Sequence, residues 1–465
     1  MIAMSIPVVV TTSSRAMMDV ADYIMITRLH VPEAQAAILP AQVIMWSYII
    51  IGLGIASMVN TFASQSLGRG DHKECGAYAW QGLYLALFFG AVGLLVFPFL
   101  PALVRGIGHD AAVQVQELAY GRIALLTTAP TIAAAAFGWF FIGIHKPWVT
   151  MWSALEANVV NIVVSFVLMF GYLGFEPMGI AGAAWGTMAA VCYRTLRLMV
   201  TLLAPSVDKM FHCRVSWRPS WLRLKNLLRV GAPCGAQWFC DVVVWAIFVN
   251  VLVGRNFGTV HLIATNTAWQ YMRISFLPTM GVGQALTALV GKSIGAGDPQ
   301  RARREAGFAL KITLLYMSTL SVIYVFFGGT LISWFNDAPD VVSIGATIMI
   351  CTAVFQVFDA LSIVYTSALR GAGDTFVPSM FFMVSNWVII VGGGWAMVRW
   401  FPQLESLGPW IAASTLIVVA GIFLWLRWRS GAWMRITLFD TDGDADSDEG
   451  AGRRRSLVSA TDGAS

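Results

Sequence analysis

Apolar stretches near 20 residues long recur from one end of this chain to the other, broken only by short charged or Gly/Pro-rich segments. About 20 apolar residues wound as α-helix cross the roughly 30 Å of hydrocarbon in a bilayer. Twelve such helices are predicted, near 3–26, 37–66, 77–104, 118–143, 148–171, 179–203, 227–253, 261–289, 306–332, 342–368, 377–398 and 408–428. Composition agrees: 57% of the residues are hydrophobic and 12% charged, where soluble domains carry about a quarter charged residues. The chain therefore reads as an all-α polytopic membrane protein. Its net charge of +5 comes from short loops rather than one basic face, which argues against nucleic acid as a partner. The lipid bilayer is the partner that the composition demands. Six cysteines (75, 192, 213, 234, 240 and 351) lack paired spacing, so neither a disulfide framework nor a zinc site is expected. No cleavable signal peptide is expected either.

Orientation follows from the basic residues, which accumulate on the cytoplasmic side. Of the 30 Lys and Arg, twenty-three fall on the side of both termini and four (Arg28, Arg105, Arg255 and Arg399) on the other; Arg15, Arg122 and Arg273 lie in or at the ends of spans. Both termini are thus predicted to be cytoplasmic. The division expected is a lobe at 1–203, a cytoplasmic linker at 204–226, a second lobe at 227–430 and a tail at 431–465. The linker's alternating aromatic and basic residues suit a helix lying on the membrane surface. The tail after Thr437 is polar and poor in aromatics, a composition expected to stay disordered.

The two sets of six helices repeat. Pro7 pairs with Pro233, Gly68-Arg69-Gly70-Asp71 with Gly295-Ala296-Gly297-Asp298, Gly143 with Gly371, Asn158 with Asn386 and Thr187 with Thr415, at offsets of 226 to 228 residues. Six spans per repeat bring both halves into the membrane from the same side. Two six-helix lobes related by a pseudo-twofold axis along the membrane normal follow, with a site between them near mid-membrane. In the turns, the glycines permit tight reversals, and Asp298-Pro299 fits a helix start with Asp capping and Pro in the first turn.

The segments "QSLGRGDHKECGAYAWQG" (65–82), "LVGKSIGAGDPQRARREAG" (289–307) and "ALRGAGDTFVP" (368–378) resemble the cytoplasmic loop motifs of MATE (multidrug and toxic compound extrusion) transporters. The resemblance runs from Pro7 to about Arg429, although "FIGIHKP" is shorter than the family's usual loop there. It implies a secondary active multidrug efflux transporter that exchanges organic cations for H+ or Na+ by alternating access. Such a protein is no enzyme, needs no cofactor beyond its coupling ion, sits in the plasma membrane and works as a monomer.

Ionisable groups inside a span cost about 2.5–3.5 kcal/mol or more, so they mark function. Four aspartates qualify: Asp19, Asp22, Asp241 and Asp359. By resemblance, Asp241, eight residues after Pro233, and Asp359, eleven before Arg370, match the second-lobe acids of NorM-like members. Asp22, fifteen after Pro7, matches the family's helix 1 aspartate. Asn161 and Thr187 resemble that aspartate's polar partners. Ser165 stands where the family often has Asp or Asn, which favours the NorM-like over the DinF-like branch. Arg15, Asp19 and Asp22 share one helical face; an Arg15–Asp19 pair would neutralise both charges. Gln237 and Gln356 are placed to hydrogen-bond Asp241 and Asp359 locally.

A carboxylate titrates near 3.9 in water, and proton exchange near neutrality asks for a value closer to 7, a difference of roughly 4 kcal/mol. Burial and a second carboxylate both push in that direction. Na+, which prefers oxygen ligands, is the other candidate, at Asp241/Asp359 or at Asp22/Asn161/Thr187. Acidic charge with 19 Trp, 28 Phe and 11 Tyr suits planar organic cations. A lipid-linked sugar flippase is the rival reading, but its pyrophosphate would want a basic cavity. An intramembrane enzyme is disfavoured because the six histidines (30, 72, 109, 145, 212 and 261) lie at loops and span ends.

Overall fold

A backbone with no water to bond must satisfy itself within the bilayer, and every regular element among the described residues is helical. The computed structural model describes residues 1–29, 31, 46–107 and 110–439, except the side chains of Asp19 and Tyr23. Twelve helical rods run in order: α1 (Ile2–Thr27), α2 (Trp46–Arg69), α3 (His72–Gly106), α4 (Ala111–Leu126 continued by Thr128–Gly143), α5 (Pro147–Phe170) and α6 (Ile180–Leu202) make the first half. The second half holds α7 (Trp221–Ile247, extended by π-helical turns at Phe248–Arg255), α8 (Asn256–Gly295), α9 (Pro299–Ser333), α10 (Pro339–Ala372), α11 (Phe376–Trp400) and α12 (Leu407–Ser430).

Among the described residues eight stretches are long and apolar enough to cross a membrane, or ten with each of two bent pairs joined. One of the eight, Trp221–Gly295, covers 75 residues, which as a straight helix would reach about 110 Å. It breaks at Gly258, whose φ of 83° leaves the helix, and so supplies both α7 and α8. The remaining rod is α1, which carries Arg15, Asp19 and Asp22 among its apolar residues. Twelve helices in two lobes is the architecture. Several rods outrun the hydrocarbon: α9 has 35 residues, about 52 Å, so its basic first turns stand outside the bilayer. Residues 37–45 of the second predicted helix lie outside the described residues.

The repeat is visible in backbone detail. Gly70 and Gly297 end α2 and α8 with φ of 78° and 73°, a left-handed turn that glycine adopts without strain. Asp71 and Asp298 then cap α3 and α9, each accepting from the backbone N–H three residues on, Glu74 at 3.1 Å and Arg301 at 2.8 Å. The halves meet along α2 and α8, where the symmetry is reciprocal. A Cβ on Gly68 would overlap the carbonyl oxygen of Lys292, and one on Gly295 would overlap that of Gln65. Gly68 and Gly295 are 227 residues apart, as are Gln65 and Lys292, so a twofold axis passes between these helix ends. The motif glycines thus do two jobs. Gly70 and Gly297 make the turns, as expected, whereas Gly68 and Gly295 let the halves touch.

Two expectations need correction. The linker forms no single surface helix: Pro205–Phe211 is a short helix, 212–220 is irregular, and Trp221–Lys225 already belong to α7. The physical reason is that the linker has better partners than the membrane surface. Val207 and Phe211 are buried, Trp80 donates to the Cys213 carbonyl at 2.8 Å, and Arg223 grips Glu74 through two of its nitrogens. The tail, expected to begin at 431 and to be disordered, is instead packed through 431–439. Trp433 is fully buried and stacks on Trp428 with centroids 4.2 Å apart. Residues 440–465, with the acidic run, lie outside the described residues.

Candidate functional site

In the first lobe, α1 packs against α5 and brings Asp22 onto a polar cluster in an otherwise apolar helix pack. Asp22 is 7% exposed, and Asn161 and Ser165 are fully buried. The Asn161 amide, oriented by its bonds, donates to Asp22 Oδ1 at 3.1 Å and accepts the Thr187 N–H at 3.3 Å. Thr187 Oγ1 donates to Asp22 Oδ2 at 3.4 Å and Ser165 Oγ to Oδ1 at 3.5 Å. Ser165 can sit there because its neighbour on α6 is Gly186, where a Cβ would strike it. The four residues anticipated from sequence therefore converge. Beside them a small cavity is lined by Arg15, Trp46, Tyr120, Thr131 and Thr187 among others. The Arg15 guanidinium lies over the Trp46 ring, 5.0 Å from its centroid. The proposed Arg15–Asp19 pair falls outside the described residues, because the Asp19 side chain does.

The second lobe uses the same scaffold with different chemistry. Asp241 on α7 accepts a 2.5 Å hydrogen bond from Asn386 Nδ2 on α11. Asn386 opens the π-helical segment Asn386–Gly393, the kind of wide turn often found at functional positions. In the first lobe Asn158 donates instead to the Ser14 carbonyl at 2.8 Å, and Ser14 lies 227 residues before Asp241. Asp359, midway along α10, has its repeat counterpart in Thr131, 228 residues before it. Asp359 is half-buried, with no hydrogen-bond or ion-pair partner among the described residues.

The two glutamines behave differently: Gln237 lies within reach of Asp241 and interacts with it as expected, whereas Gln356 turns away from Asp359. Gln356 donates to Ser275 Oγ at 2.6 Å, because its side chain faces α8. The Gln237 oxygen is taken by Ser379 Oγ at 3.0 Å and Arg370 Nη2 at 3.4 Å. Arg370 also lies over the Trp238 ring at 5.4 Å, placing a cation at the foot of this site from a neighbouring helix. Two further carboxylates, beyond the aspartates, also stand out in the sequence as charges in apolar stretches. Glu117 is fully buried in α4, and Glu156 on α5 accepts from Tyr193 at 3.0 Å and Arg197 at 3.2 Å. Asn386 carried one signal, its offset from Asn158, which marks the repeat rather than the site.

Between the lobes, polar side chains of α2 insert into the backbone of the second half. Asn60 donates to the Gln284 carbonyl at 3.0 Å, Thr61 to that of Arg370 at 2.9 Å, and Gln65 to that of Gly371 at 2.9 Å. His145 Nε2 faces the Ala288 carbonyl at 3.4 Å, and burial with Lys292 nearby pushes its pKa down to about 4. Thr12 adds a bond to the Leu277 carbonyl at 3.2 Å. Among the described residues, these bonds between α1–α6 and α7–α12 run from mid-membrane to the end that carries the 70–71 and 297–298 turns. The halves are sealed at that end.

The MatE family model matches residues 7–167 and 238–395. The chain belongs to the MATE family. It is 25% identical over 433 residues to a probable multidrug resistance protein NorM of Rhizobium meliloti, covering 92% of this chain and 91% of that one. A protein of the same name from Mesorhizobium japonicum is 27% identical over 440 residues, covering 92% of each. Among solved structures, the outward-facing conformation of a multidrug resistance MATE family transporter of the MOP superfamily superposes with a TM-score of 0.84 at 20% identity, covering 94% of this chain and 96% of that one. As a MATE protein the chain is a multi-pass membrane transporter and not an enzyme. Its twelve rods, reciprocal α2–α8 contact and paired polar clusters are how this sequence builds the MATE fold.

Proposed function

We propose that this protein is a secondary active efflux transporter of the plasma membrane that exchanges organic cations for H+ or Na+ by alternating access. The observation that carries the proposal is Asp359, a carboxylate midway along a membrane helix with no protein partner among the described residues. An unpaired charge is costly in such a place, so the group holds either a proton or an exchangeable cation. Asp241, held by Asn386, is the second member of the site. The first-lobe group Asp22, Asn161 and Thr187 offers a further set of oxygen ligands, with Ser165 beside them. Ion and drug compete for the same negative charge, and that competition couples their movements.

Lobes 1–203 and 227–430 act as the moving bodies, joined by 204–226, with both termini cytoplasmic as the basic residues argue. On that orientation the sealed end is cytoplasmic, and the state described is open toward the outside. Nothing in the mechanism calls for a second copy, so a monomer suffices. The relatives' name, multidrug resistance protein, supports a drug-like cargo. The test is ethidium binding to purified protein, followed by fluorescence anisotropy. Binding should weaken as H+ or Na+ rises, and Asp359→Asn should lose at least tenfold in affinity together with the ion dependence. Equal binding by wild type and variant, with unchanged ion dependence, would remove Asp359 from the site.

A further inference from the structure

The segment after α12 crosses from one lobe to the other. Its start is rooted in the second lobe: Gly431 (φ 72°) ends the helix, and Trp433, fully buried, donates to the Trp428 carbonyl at 2.9 Å while stacking on that ring. The chain leaves this turn extended at Ile436 and bends at Leu438 and Phe439. Leu438 is 7% exposed and belongs to an apolar core built mainly from α2, α3 and α4 of the first lobe, with Leu227 and Cys234 of α7 also part of it; Ile436 and Phe439 pack against the same core. Leu438 also fills the space that a side chain at Gly373, in the turn between α10 and α11, would need. The Phe439 ring meets Phe62 of α2 edge-on at 5.8 Å and Tyr78 of α3 at 6.3 Å, and the Arg69 guanidinium sits 3.5 Å from its centroid.

The position of this crossing is what gives it meaning. Phe439 rests on Arg69, within the turn motif whose neighbour Gly68 touches Lys292 across the lobe boundary. Leu438 rests on Gly373, next to Arg370 and Gly371, whose carbonyls accept from Thr61 and Gln65. The segment therefore spans the seam where the two lobes are sealed. We propose that residues 436–439 form a conformational strap, which keeps this end of the transporter closed until Phe439 leaves its slot between Arg69, Phe62 and Tyr78. The inference rests on the alternating-access reading, since only then must the seam part. Trp433 remains in the second lobe throughout, so release of three or four residues frees the lobes without unfolding α12. The strap adds a barrier to opening on this side that the interlobe hydrogen bonds alone do not supply.

Hydrogen–deuterium exchange of the full chain in lipid nanodiscs tests this, comparing wild type, Phe439→Ala and Phe439→Tyr. Opening of the seam exposes the backbone on both sides of it. In Phe439→Ala, amides in 60–70 and 369–374 should exchange about tenfold faster, a population shift well within reach of one lost anchor. Phe439→Tyr, which keeps the ring, should match wild type. Unchanged exchange in those two segments would overturn the strap. A uniform rise across all helices would overturn it as well, since that pattern reports lost stability rather than a local release. A protein that moves no cation under any gradient would end the transport reading while leaving this comparison readable.

Discussion

Substituting Gly68 by Ala adds one methyl group at a point where the backbones of the two lobes touch. A Cβ there would overlap the Lys292 carbonyl oxygen and stand 2.8 Å from the Ala296 nitrogen and 2.9 Å from the Lys292 carbonyl carbon, all of it backbone. Ordinary contact begins near 3.4 Å, so α2 and α8 must part by about 1 Å or slightly more. Overpacking of this kind costs about 1–3 kcal/mol. The cost falls on the sealed state alone, because in a state with the lobes apart the methyl meets nothing. The equilibrium between sealed and open should therefore move by about 5- to 150-fold. Gly70→Ala is the control: it strains a turn with φ of 78° but meets no atom within 4 Å. Spin labels on His72 and Gln300, in a background without the native cysteines, report the separation of the two turns by pulsed dipolar spectroscopy. Gly68→Ala should populate a longer distance that Gly70→Ala does not. A distribution unchanged by Gly68→Ala, or widened equally by both, would refute the reasoning.

Other consequences follow from particular side chains. Asn386→Ala removes the 2.5 Å bond to Asp241; a hydrogen bond to a charged group contributes about 1.5–3 kcal/mol, so initial transport rates should fall about tenfold or more, and a rate within twofold of wild type would show the bond to be idle. His145 titrates near 4 when folded and near 6.5 when unfolded. The unfolded chain then binds more protons between those values, and stability drops as pH falls through that window, by up to about 3 kcal/mol. His145→Gln should remove that part of the slope of Tm against pH, and an identical slope in both proteins would contradict the assignment. Asp374 is 3% exposed and held by Arg427 Nε at 2.8 Å. Arg427→Ala should destabilise by about 3–5 kcal/mol because the carboxylate stays buried, and Asp374→Asn in the same chain should recover part of the lost Tm.

Much of this was readable from residues alone, for definite reasons. The span count follows from hydrocarbon thickness, which fixes helix length independently of tertiary contacts. The repeat was legible because turns and caps use a small alphabet, so Gly70-Asp71 and Gly297-Asp298 reappear in register. The first-lobe cluster came from the resemblance to MATE proteins, which implied Asp22, Asn161 and Thr187 together; helical spacing added only that Ser165 lies one turn from Asn161. What escaped was contact between elements distant in sequence. Nothing within α10 says that Gln356 turns toward Ser275 on α8, and nothing near Asp241 names Asn386 on α11. The closing segment was hidden by composition: residues 436–439 adjoin a polar tail, and only the packed lobes show the slot that Leu438 and Phe439 fill. Glycine also has two uses, and sequence shows the turn-making one while concealing the close approach.

The central claim is that the second-lobe carboxylates exchange an inorganic cation for an organic one. Ethidium uptake into proteoliposomes, driven separately by imposed proton and Na+ gradients, tests it most directly when wild type is run beside Asp359→Asn and Asp241→Asn. The account predicts uptake under one of the two gradients in wild type and loss of that gradient's effect in both variants. Gradient-driven uptake that survives in Asp359→Asn would contradict it and move the coupling chemistry to Asp22.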